Sequence, residues 1–322
     1  MLRLRTITPV TLALLLSGLT PAQEPGFHRE VLAMGTRLSL RIEGGAQEQL
    51  ASASEAAFIE CNRIEAACST WKPDSVFSRL NQADGRAVLL DREWLDLLDR
   101  ARGQSHRTGG AFDPLLFRLL SAYGIREGGR KPSRSELAEA RAASGARHLR
   151  LSYRRGAARL RQGAGIDEGG FAKGYALDRM RARLAHSGIR SGFLDFGGQL
   201  MAFGPTVEVS IADPKDRTRP RFSIALKDAS LASSGLSEHG SHIVDPRNGR
   251  PCADWGSVSV IAPSAFEADC LSTALYVMGP ARGLAWAKRH AIAAIFLLNS
   301  GRTRMSPAFA AMHPNPIPME KP

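Results

Sequence analysis

The chain has 322 residues, of which 43% are hydrophobic and 23% charged, and these values are typical of soluble globular proteins. The length allows one large domain or two closely packed ones, and it excludes a disulfide miniprotein, while the composition excludes disordered, collagen-like and polytopic membrane proteins. The formal net charge of +12 raises the question of a polyanionic partner such as nucleic acid.

Residues 1–22 have the pattern of a secretory signal peptide. Arg3 and Arg5 precede an apolar run at 10–19, which small residues follow. The run is too short to span a bilayer comfortably, and no cysteine follows it for lipid attachment. We therefore expect export to the periplasm with a cleavable leader, and a buried N-terminal helix is the alternative.

Hydrophobic periodicity predicts a strand and then helices in the N-terminal half of the chain. Residues 36–42 alternate polar and apolar side chains, and residues 50–68 repeat apolar ones at three- and four-residue steps. Two more helices are predicted at 94–104 and 114–123, each followed by glycine. These patterns indicate a strand that pairs with later strands and a helix with one buried face.

Residues 126–161 contain much of the positive charge, with eleven Lys or Arg against three Glu. Ser133 and Glu136 form a potential capping box for a helix in this segment. Tyr153 is its one aromatic residue of the Phe, Trp and Tyr type, and the segment matches no nucleic-acid-binding module. We therefore predict a solvated basic face and no nucleic-acid partner. A polyanion-binding protein is the alternative, and a steep salt dependence of binding would reveal it.

The remaining predicted elements mix strands and helices without a regular alternation. Strands are predicted at 148–153, 158–161, 190–196, 206–212, 221–227, 256–262 and 292–298, and helices at 171–186, at 266–278 and onward to 290. This order favours an α+β fold, with mixed, largely antiparallel sheets packed against helices in a single large domain of residues 23–306. The Pro-rich residues 307–322 are predicted to be a disordered tail.

Four cysteines would enter an oxidising compartment on export, where three pairings are open: Cys61, Cys68, Cys252 and Cys270. Cys61 and Cys68 are two helical turns apart, about 10 Å along the axis, which is too far for a disulfide in an unbroken helix. None of the four has metal-ligand spacing. We favour small buried side chains, and the sequence leaves their disulfide status open.

A Gly-rich segment at 167–178 suits a phosphate group. Gly169 and Gly170 precede the predicted helix, and Lys173 falls in its first turn. Backbone N–H groups at a helix N-terminus and a lysine charge both favour a bound anion. The segment is neither a Walker A loop nor a dinucleotide-binding fingerprint, so a purely structural helix start is the alternative.

Asp269 and Thr273 lie four residues apart in another predicted helix, so both face one way. A carboxylate and a hydroxyl suit Mg²⁺, which completes its coordination with water and substrate phosphate oxygens. In the alternative interpretation, Asp269 offsets the helix dipole and Thr273 bonds back to a carbonyl.

Three further segments have structural explanations: Gly caps, Asp caps and turns account for residues 108–114, 195–199 and 241–251. His242 is not explained by its turn. An imidazole there suits a phosphate contact or a proton transfer, and a structural histidine fits the sequence equally well.

Taken in chain order, these motifs resemble the ApbE family of FAD:protein FMN transferases. They are Met34-Gly35-Thr36, the Gly-Gly-Ala-Phe-Asp-Pro run at 109–114, the segment 167–178, Gly197-Gly198-Gln199, the segment 242–246, and Ala268-Asp269 with Thr273-Ala274. The resemblance covers essentially all of residues 27–300. It implies a T-fold-like architecture and an exported enzyme that uses Mg²⁺, cleaves FAD, releases AMP and leaves FMN on a Thr or Ser of an acceptor protein.

The resemblance also implies roles for individual residues. The metal ligands would be the carbonyl of Gly170, with Asp269 and Thr273. Lys173 and Asp269 would take part in catalysis, with His242 as the candidate base. Contacts to FAD are expected from Met34, Ala111, Phe112, Asp113, Asp167, Lys173, His242 and Ile243. Trp71 is expected to stack on the flavin, with a core aromatic as the alternative.

The chain departs from the usual family pattern in ways that concern partner recognition. Glu168 replaces an apolar residue beside Asp167 and adds negative charge near the expected pyrophosphate. The loop between Gly235 and His242 and the region 204–211 are both shorter than usual. The implied acceptor, a membrane or periplasmic electron-transfer subunit, is therefore the least determined partner.

Two other functions use the same residues. In a Mg²⁺-dependent FAD pyrophosphatase, water would replace the protein hydroxyl as the attacking group. In a non-catalytic exported flavin-binding protein, the metal pair Asp269 and Thr273 would have no purpose, and this argues against that alternative.

Overall fold

The structure is a computed structural model, and it describes residues 26–236 and 243–317. The strands are β1 (Phe27–Ala33), β2 (Thr36–Glu43), β3 (Ala87–Leu89), β4 (Leu149–Ser152), β5 (Ala157–Leu160), β6 (Ser191–Phe196), β7 (Gln199–Phe203), β8 (Val207–Ala212), β9 (Pro220–Leu226), β10 (Ala229–Gly235), β11 (Val244–Asp245), β12 (Arg250–Pro251), β13 (Gly256–Ala262), β14 (Ala293–Leu298), β15 (Thr303–Met305) and β16 (Asn315–Pro316). The helices are α1 (Gln47–Cys68), α2 (Val76–Gln82), α3 (Arg92–Arg107), α4 (Phe117–Ala122), α5 (Arg134–Ala142), α6 (Ala172–His186), α7 (Ala265–Arg289) and α8 (Pro307–Ala310).

One large antiparallel sheet organises the molecule, with strand order β1-β2-β6-β7-β10-β13-β14-β15. Two three-stranded sheets, β16-β9-β8 and β3-β5-β4, and the β11–β12 hairpin accompany it. Within the described residues every strand pairing is antiparallel. The α+β prediction of antiparallel sheets with helices is therefore confirmed.

The two faces of the large sheet bury two different cores. In β2, Leu38, Leu40 and Ile42 are fully buried toward α1, α6 and α7, whereas Arg37 and Arg41 point to the opposite face and are exposed. This alternation follows from the two-residue period of a strand. Farther along the sheet, the opposite face is covered by β8, β9 and α8, which enclose a second apolar core.

Two tight hairpins lie at the same end of the large sheet. Met34 and Gly35 join β1 to β2, and Gly197 and Gly198 join β6 to β7; all four residues have positive φ. Two-residue connections of this kind match the right-handed twist of antiparallel strands. The Gly197 N–H donates to the carbonyl of Arg37 at 2.9 Å, which holds the two turns side by side.

The first turns of α6 and α7 are in close contact. A Cβ at Gly174 would lie 2.3 Å from the carbonyl oxygen of Ala265, so this position requires glycine. Asp178 of α6 accepts hydrogen bonds from Ser264 Oγ and from the N–H groups of Ala265 and Phe266. A carboxylate from one helix therefore caps the N-terminus of the other.

Most elements predicted from periodicity are present within one to three residues of their expected ends. The helix expected over 114–123 is shorter, since only Phe117–Ala122 is helical, and the C-terminal helical region is one element with a break at Gly279, where φ is 75°. All four cysteines are free thiols. Burial raises the pKa of Cys61 and Cys252 to about 12, as expected for small packed side chains.

The predicted disordered tail is wrong for residues 307–317. Phe309 of α8 is fully buried in the second core, and Asn315–Pro316 pairs with β9. The Pro-rich composition predicted disorder, but the buried side chain of Phe309 anchors this segment. The predicted leader at 1–22 and residues 318–322 lie outside the described residues. Within the described ranges, no helix is long and apolar enough to cross a membrane.

Candidate active site

A single cavity of about 2220 Å³ brings together every predicted site residue that the structure describes. They are Met34, Trp71, Ala111, Phe112, Asp113, Asp167, Gly170, Lys173, Ile243, Asp269 and Thr273. His242 lies outside the described residues. The volume exceeds the roughly 300–1,000 Å³ of ordinary small-molecule sites, so the cavity has space for more than a nucleotide.

Asp269 is the buried acid of this cavity and is only 8% exposed. Its Oδ2 accepts a hydrogen bond from the Gly174 N–H at 3.1 Å, across the close contact between α6 and α7. Burial raises the pKa of Asp269 to about 6, and the nearby Lys173 charge opposes the rise. Ionising a buried carboxylate costs free energy, and a bound cation offsets that cost.

Thr273 lies one turn further along α7, beside the Gly-rich turn. A Cβ on Gly170 would lie 3.4 Å from Thr273 Oγ1, so that backbone and this hydroxyl are neighbours. Among the described residues, Thr273 Oγ1 shows no hydrogen bond back to its helix. The structural interpretation of this threonine, as a hydroxyl bonded to the preceding turn, is therefore wrong.

The donor set at this point can be tested against a Mg²⁺ ion. Within the described residues, no group of three or more His, Cys, Asp or Glu could hold a metal. One carboxylate, one hydroxyl and one carbonyl fit Mg²⁺, because this ion keeps several positions for water and phosphate oxygens. Nearby, Gln199 Oε1 is buried without a hydrogen-bond partner in the described structure, and Gln199 shares a small side cavity with Lys173 and Asp269.

The N-terminus of α6 is arranged as an anion site. Asp167 Oδ1 accepts the Gly169 N–H at 3.0 Å and so shapes the Gly-rich turn. Lys173 follows in the first turn of α6, lines the cavity and forms no ion pair with any described residue. A helix N-terminus with a lysine in its first turn attracts phosphate.

Arg126 is a site residue that the sequence did not identify. Its Nη2 lies 2.8 Å from Asp167 Oδ2 and 2.6 Å from Thr70 Oγ1, and its guanidinium carbon lies 4.3 Å from the centre of the Trp71 ring. The other ten cations of the basic segment 126–161 are exposed, as predicted. No local pattern separates Arg126 from these neighbours, because its partners come from distant parts of the chain.

Glu168 is held by the same group of residues. It accepts hydrogen bonds from the Thr70 N–H at 3.0 Å and from Thr70 Oγ1 at 2.5 Å, and it lies 3.8 Å from Arg126. Burial and the adjacent Asp167 charge raise the pKa of Glu168. The extra carboxylate therefore joins the Thr70–Trp71 segment to the Gly-rich turn, with Arg126 as the compensating charge.

Trp71 is 67% exposed and lines the cavity, so it is not a core aromatic. One face of its ring is covered by Arg126 at cation–π distance. An exposed indole fixed at the mouth of the cavity is suited to stacking on a planar ligand.

Asp113 contributes to the site by holding nearby backbone in place. The Asp113 carboxylate accepts hydrogen bonds from the N–H groups of Leu115 and Ala146 and from Ser105 Oγ, so its oxygens serve the local structure and position Ala111 and Phe112. Burial raises its pKa, and these hydrogen bonds oppose the rise.

Met34 is positioned by Glu65. The Met34 N–H donates a hydrogen bond to Glu65 Oε2 at 3.0 Å. Lys72 lies 3.0 Å from the other oxygen of Glu65. The β1–β2 turn is therefore tied to the end of α1, next to the segment that carries Trp71.

Known proteins resemble this chain over most of its length. The sequence profile of the ApbE family matches residues 34–296. A curated relative from Treponema pallidum, named FAD:protein FMN transferase, is 29% identical over 313 residues, covering 87% of this chain and 86% of the relative. A relative of the same name from Klebsiella pneumoniae is 28% identical over 266 residues, covering 75% of this chain and 76% of the relative.

Solved structures give the same result. The apo form of the flavinyl transferase ApbE from Pseudomonas stutzeri superposes with a TM-score of 0.82 at 28% identity, covering 90% of this chain and 97% of the other. The ApbE protein of Thermotoga maritima gives a TM-score of 0.83 at 28% identity, with 89% and 99% covered. The fold is therefore that of the ApbE flavin transferases, and the chain belongs to the ApbE family.

Proposed function

We propose that this chain is an FAD:protein FMN transferase that requires Mg²⁺, cleaves FAD and attaches FMN through a phosphoester bond to a Thr or Ser of an acceptor protein. The second product is AMP. The observation that carries this proposal is the grouping of Gly170, Lys173, Asp269 and Thr273 in one cavity, beside a helix N-terminus.

The cavity supplies both parts of a nucleotide site. The N-terminus of α6 and Lys173 favour the pyrophosphate, and exposed Trp71 with buried Phe112 offers aromatic surface to the flavin end. The metal ligands would be the Gly170 carbonyl, Asp269 and Thr273. When bound, Mg²⁺ supplies neutralisation of the charge that develops on pyrophosphate oxygens.

In the reaction, the acceptor hydroxyl oxygen forms a bond to the FMN-side phosphorus while the bond from that phosphorus to the bridging oxygen breaks. The electron pair of the broken bond leaves with AMP. Lys173 stabilises the growing negative charge from the first turn of α6. The hydroxyl proton passes to a base, and His242 is the candidate because its ordinary pKa is near 6.5.

The direct test is to mix the mature protein with FAD, Mg²⁺ and candidate acceptor proteins, and to search by mass spectrometry for an FMN adduct together with released AMP. An adduct plus AMP supports the transferase. AMP with free FMN and no adduct would identify a pyrophosphatase, and FAD bound intact would identify a binding protein. Full transfer activity in His242→Ala would remove the proposed base.

We also propose that the enzyme acts after export, on an acceptor in the periplasm or at the membrane. The support is the leader-like sequence of residues 1–22. N-terminal sequencing of the protein from a periplasmic fraction tests this: a start near residue 23 is expected, and an intact Met1 in the cytoplasmic fraction would contradict it.

A further inference from the structure

The small sheet β16-β9-β8 ends at β8, whose outer edge has no partner strand in the described structure. In the sheet β16-β9-β8, β8 pairs with β9 on one side only. Proteins normally protect such edges with lysine, proline or a covering segment, because an open row of N–H and C=O groups can pair with another chain. Between Val207 and Ala212, β8 contains neither lysine nor proline.

The open edge of β8 faces the cavity that holds the predicted nucleotide site. Every residue of β8, Val207–Ala212, lines that cavity, as do the flanking Pro205 and Pro214. A strand that turned one face to a cavity would contribute alternate residues, because successive side chains point to opposite sides. An unbroken run of lining residues indicates that the backbone edge itself borders the space.

The floor of this part of the cavity is the outer face of the large sheet. From β2, Arg37, Ser39 and Arg41 line the space while the residues between them do not, which is the pattern of a strand that presents one face. Arg37 and Arg41 form no ion pair with any described residue. Glu30, Glu43 and Asp195 line the same space, so the floor carries both signs of charge and does not by itself select a charged partner.

This edge and floor are continuous with the nucleotide site, since Lys173, Asp269 and Thr273 line the same cavity of about 2220 Å³. A single extended segment that enters along β8 would remain in one connected space until it reaches the phosphate end.

We propose that the acceptor protein docks through an extended segment that adds to the open edge of β8 as an extra strand and leads its reactive hydroxyl to the phosphate end of the cavity. Backbone hydrogen bonds to β8 supply affinity that is largely independent of sequence. This inference rests on the proposed transferase function, and it names how the protein substrate is recognised.

The test uses the acceptor that the adduct experiment identifies, as a synthetic peptide that spans its flavinylated residue. Peptides that carry one backbone N-methyl group each are compared by kcat/KM for FMN transfer. We expect alternate positions to lose about 10-fold, because each lacks one hydrogen bond to β8, while the positions between them change little. A uniform or irregular profile would overturn strand addition.

A matched pair of variants locates the edge on the enzyme. Ser210 of β8 and Ala225 of β9 are both exposed, but Ser210 lines the cavity and Ala225 does not. Ser210→Lys is expected to lower kcat/KM for the peptide about 10-fold with unchanged FAD affinity, because a bulky charge blocks the edge. Ala225→Lys is expected to leave both unchanged, and equal effects of the two variants would contradict the proposal.

Hydrogen exchange completes the test on the wild-type enzyme with FAD. Peptide binding should slow alternate amides of Val207–Ala212 and leave those of β9 unchanged, whereas dimerisation of the enzyme through β8 without peptide would assign the edge to a second copy and overturn the proposal. An enzyme that makes no FMN adduct with any protein would refute the transferase function itself. If the transferase function holds but docking at β8 does not, the FMN adduct would still form, and its yield would not depend on which peptide position is N-methylated.

Discussion

Arg126 gives the sharpest test of how this site is held together. Replacing it by methionine keeps a long side chain but removes the charge that lies 2.8 Å from Asp167 and 3.8 Å from Glu168. Two adjacent carboxylates, each 13% exposed, would then share a site without a cation. Trp71 would also lose the guanidinium that covers one face of its ring.

The size of the effect follows from burial. Removing one partner of a fully buried ion pair costs about 3–5 kcal/mol, and an exposed pair costs about 0–1 kcal/mol. Arg126 is 22% exposed, which places it between these limits. We therefore expect the free energy of unfolding to fall by about 2 kcal/mol. FAD binding should weaken by at most the same amount, or about 30-fold in the dissociation constant, because the misplaced groups line the cavity.

The assay is calorimetric titration with FAD, together with thermal unfolding of each variant. Arg130→Met is the control, since Arg130 pairs with Glu136 at 2.9 Å while both side chains are about half exposed. It should change FAD affinity by less than about twofold. Arg126→Lys should show an intermediate loss, because lysine keeps the charge but lacks the planar fork of donors.

A double substitution separates electrostatics from general damage. Glu168→Gln in the Arg126→Met background removes one of the two uncompensated carboxylates, so it should restore part of the lost FAD affinity. Wild-type affinity in Arg126→Met, or equal losses in Arg126→Met and Arg130→Met, would refute the role assigned to Arg126.

Three further expectations concern separate parts of the molecule. Asp269→Asn should lower Mg²⁺-dependent AMP release at least about 100-fold without unfolding the protein, because a neutral amide is a weaker ligand for this ion; unchanged release would exclude Asp269 as a ligand. Gly174→Ala should destabilise the fold by about 3 kcal/mol in urea unfolding, since its Cβ would lie 2.3 Å from a carbonyl oxygen, whereas Gly103→Ala, with no atom within 4 Å, should not. The pKa of Glu60 is lowered to about 2, first by the Arg63 hydrogen bond, so its stabilisation holds above pH 4.5 and is lost as the pH falls toward 2. That contribution is about 2 kcal/mol after solvent screening, and Glu60→Gln should flatten the pH dependence of unfolding between those values.

Local sequence patterns predicted the elements well where their cause is local. The apolar repeat before Cys68 became the 22-residue helix α1, and Ser133 with Glu136 forms the complete capping box of α5. Periodicity and capping act between residues that are a few positions apart, so they can be recognised from the sequence. The short strand β3 and the helix α2 were missed, because brief elements show too little periodicity.

The tail shows the opposite case. Proline and polar residues made the segment from residue 307 onward resemble a disordered end, yet Phe309 enters a core formed by strands far away in the chain. Burial of one aromatic side chain outweighs a composition that favours disorder. Such a contact depends on where the sheet lies, and composition does not record it.

The sequence by itself determined the family, the α+β class and the motif residues that line the cavity, because these are carried by ordered motifs and by short-range periodicity. Only the tertiary structure decided that Arg126 turns inward among exposed neighbours, that Glu168 binds Thr70, and that β8 offers its open edge to the cavity. The physical reason is separation along the chain: Arg126 and Asp167 are 41 residues apart, and Thr70 and Glu168 are 98 apart. Contacts of that range form only when packed elements bring the two segments together.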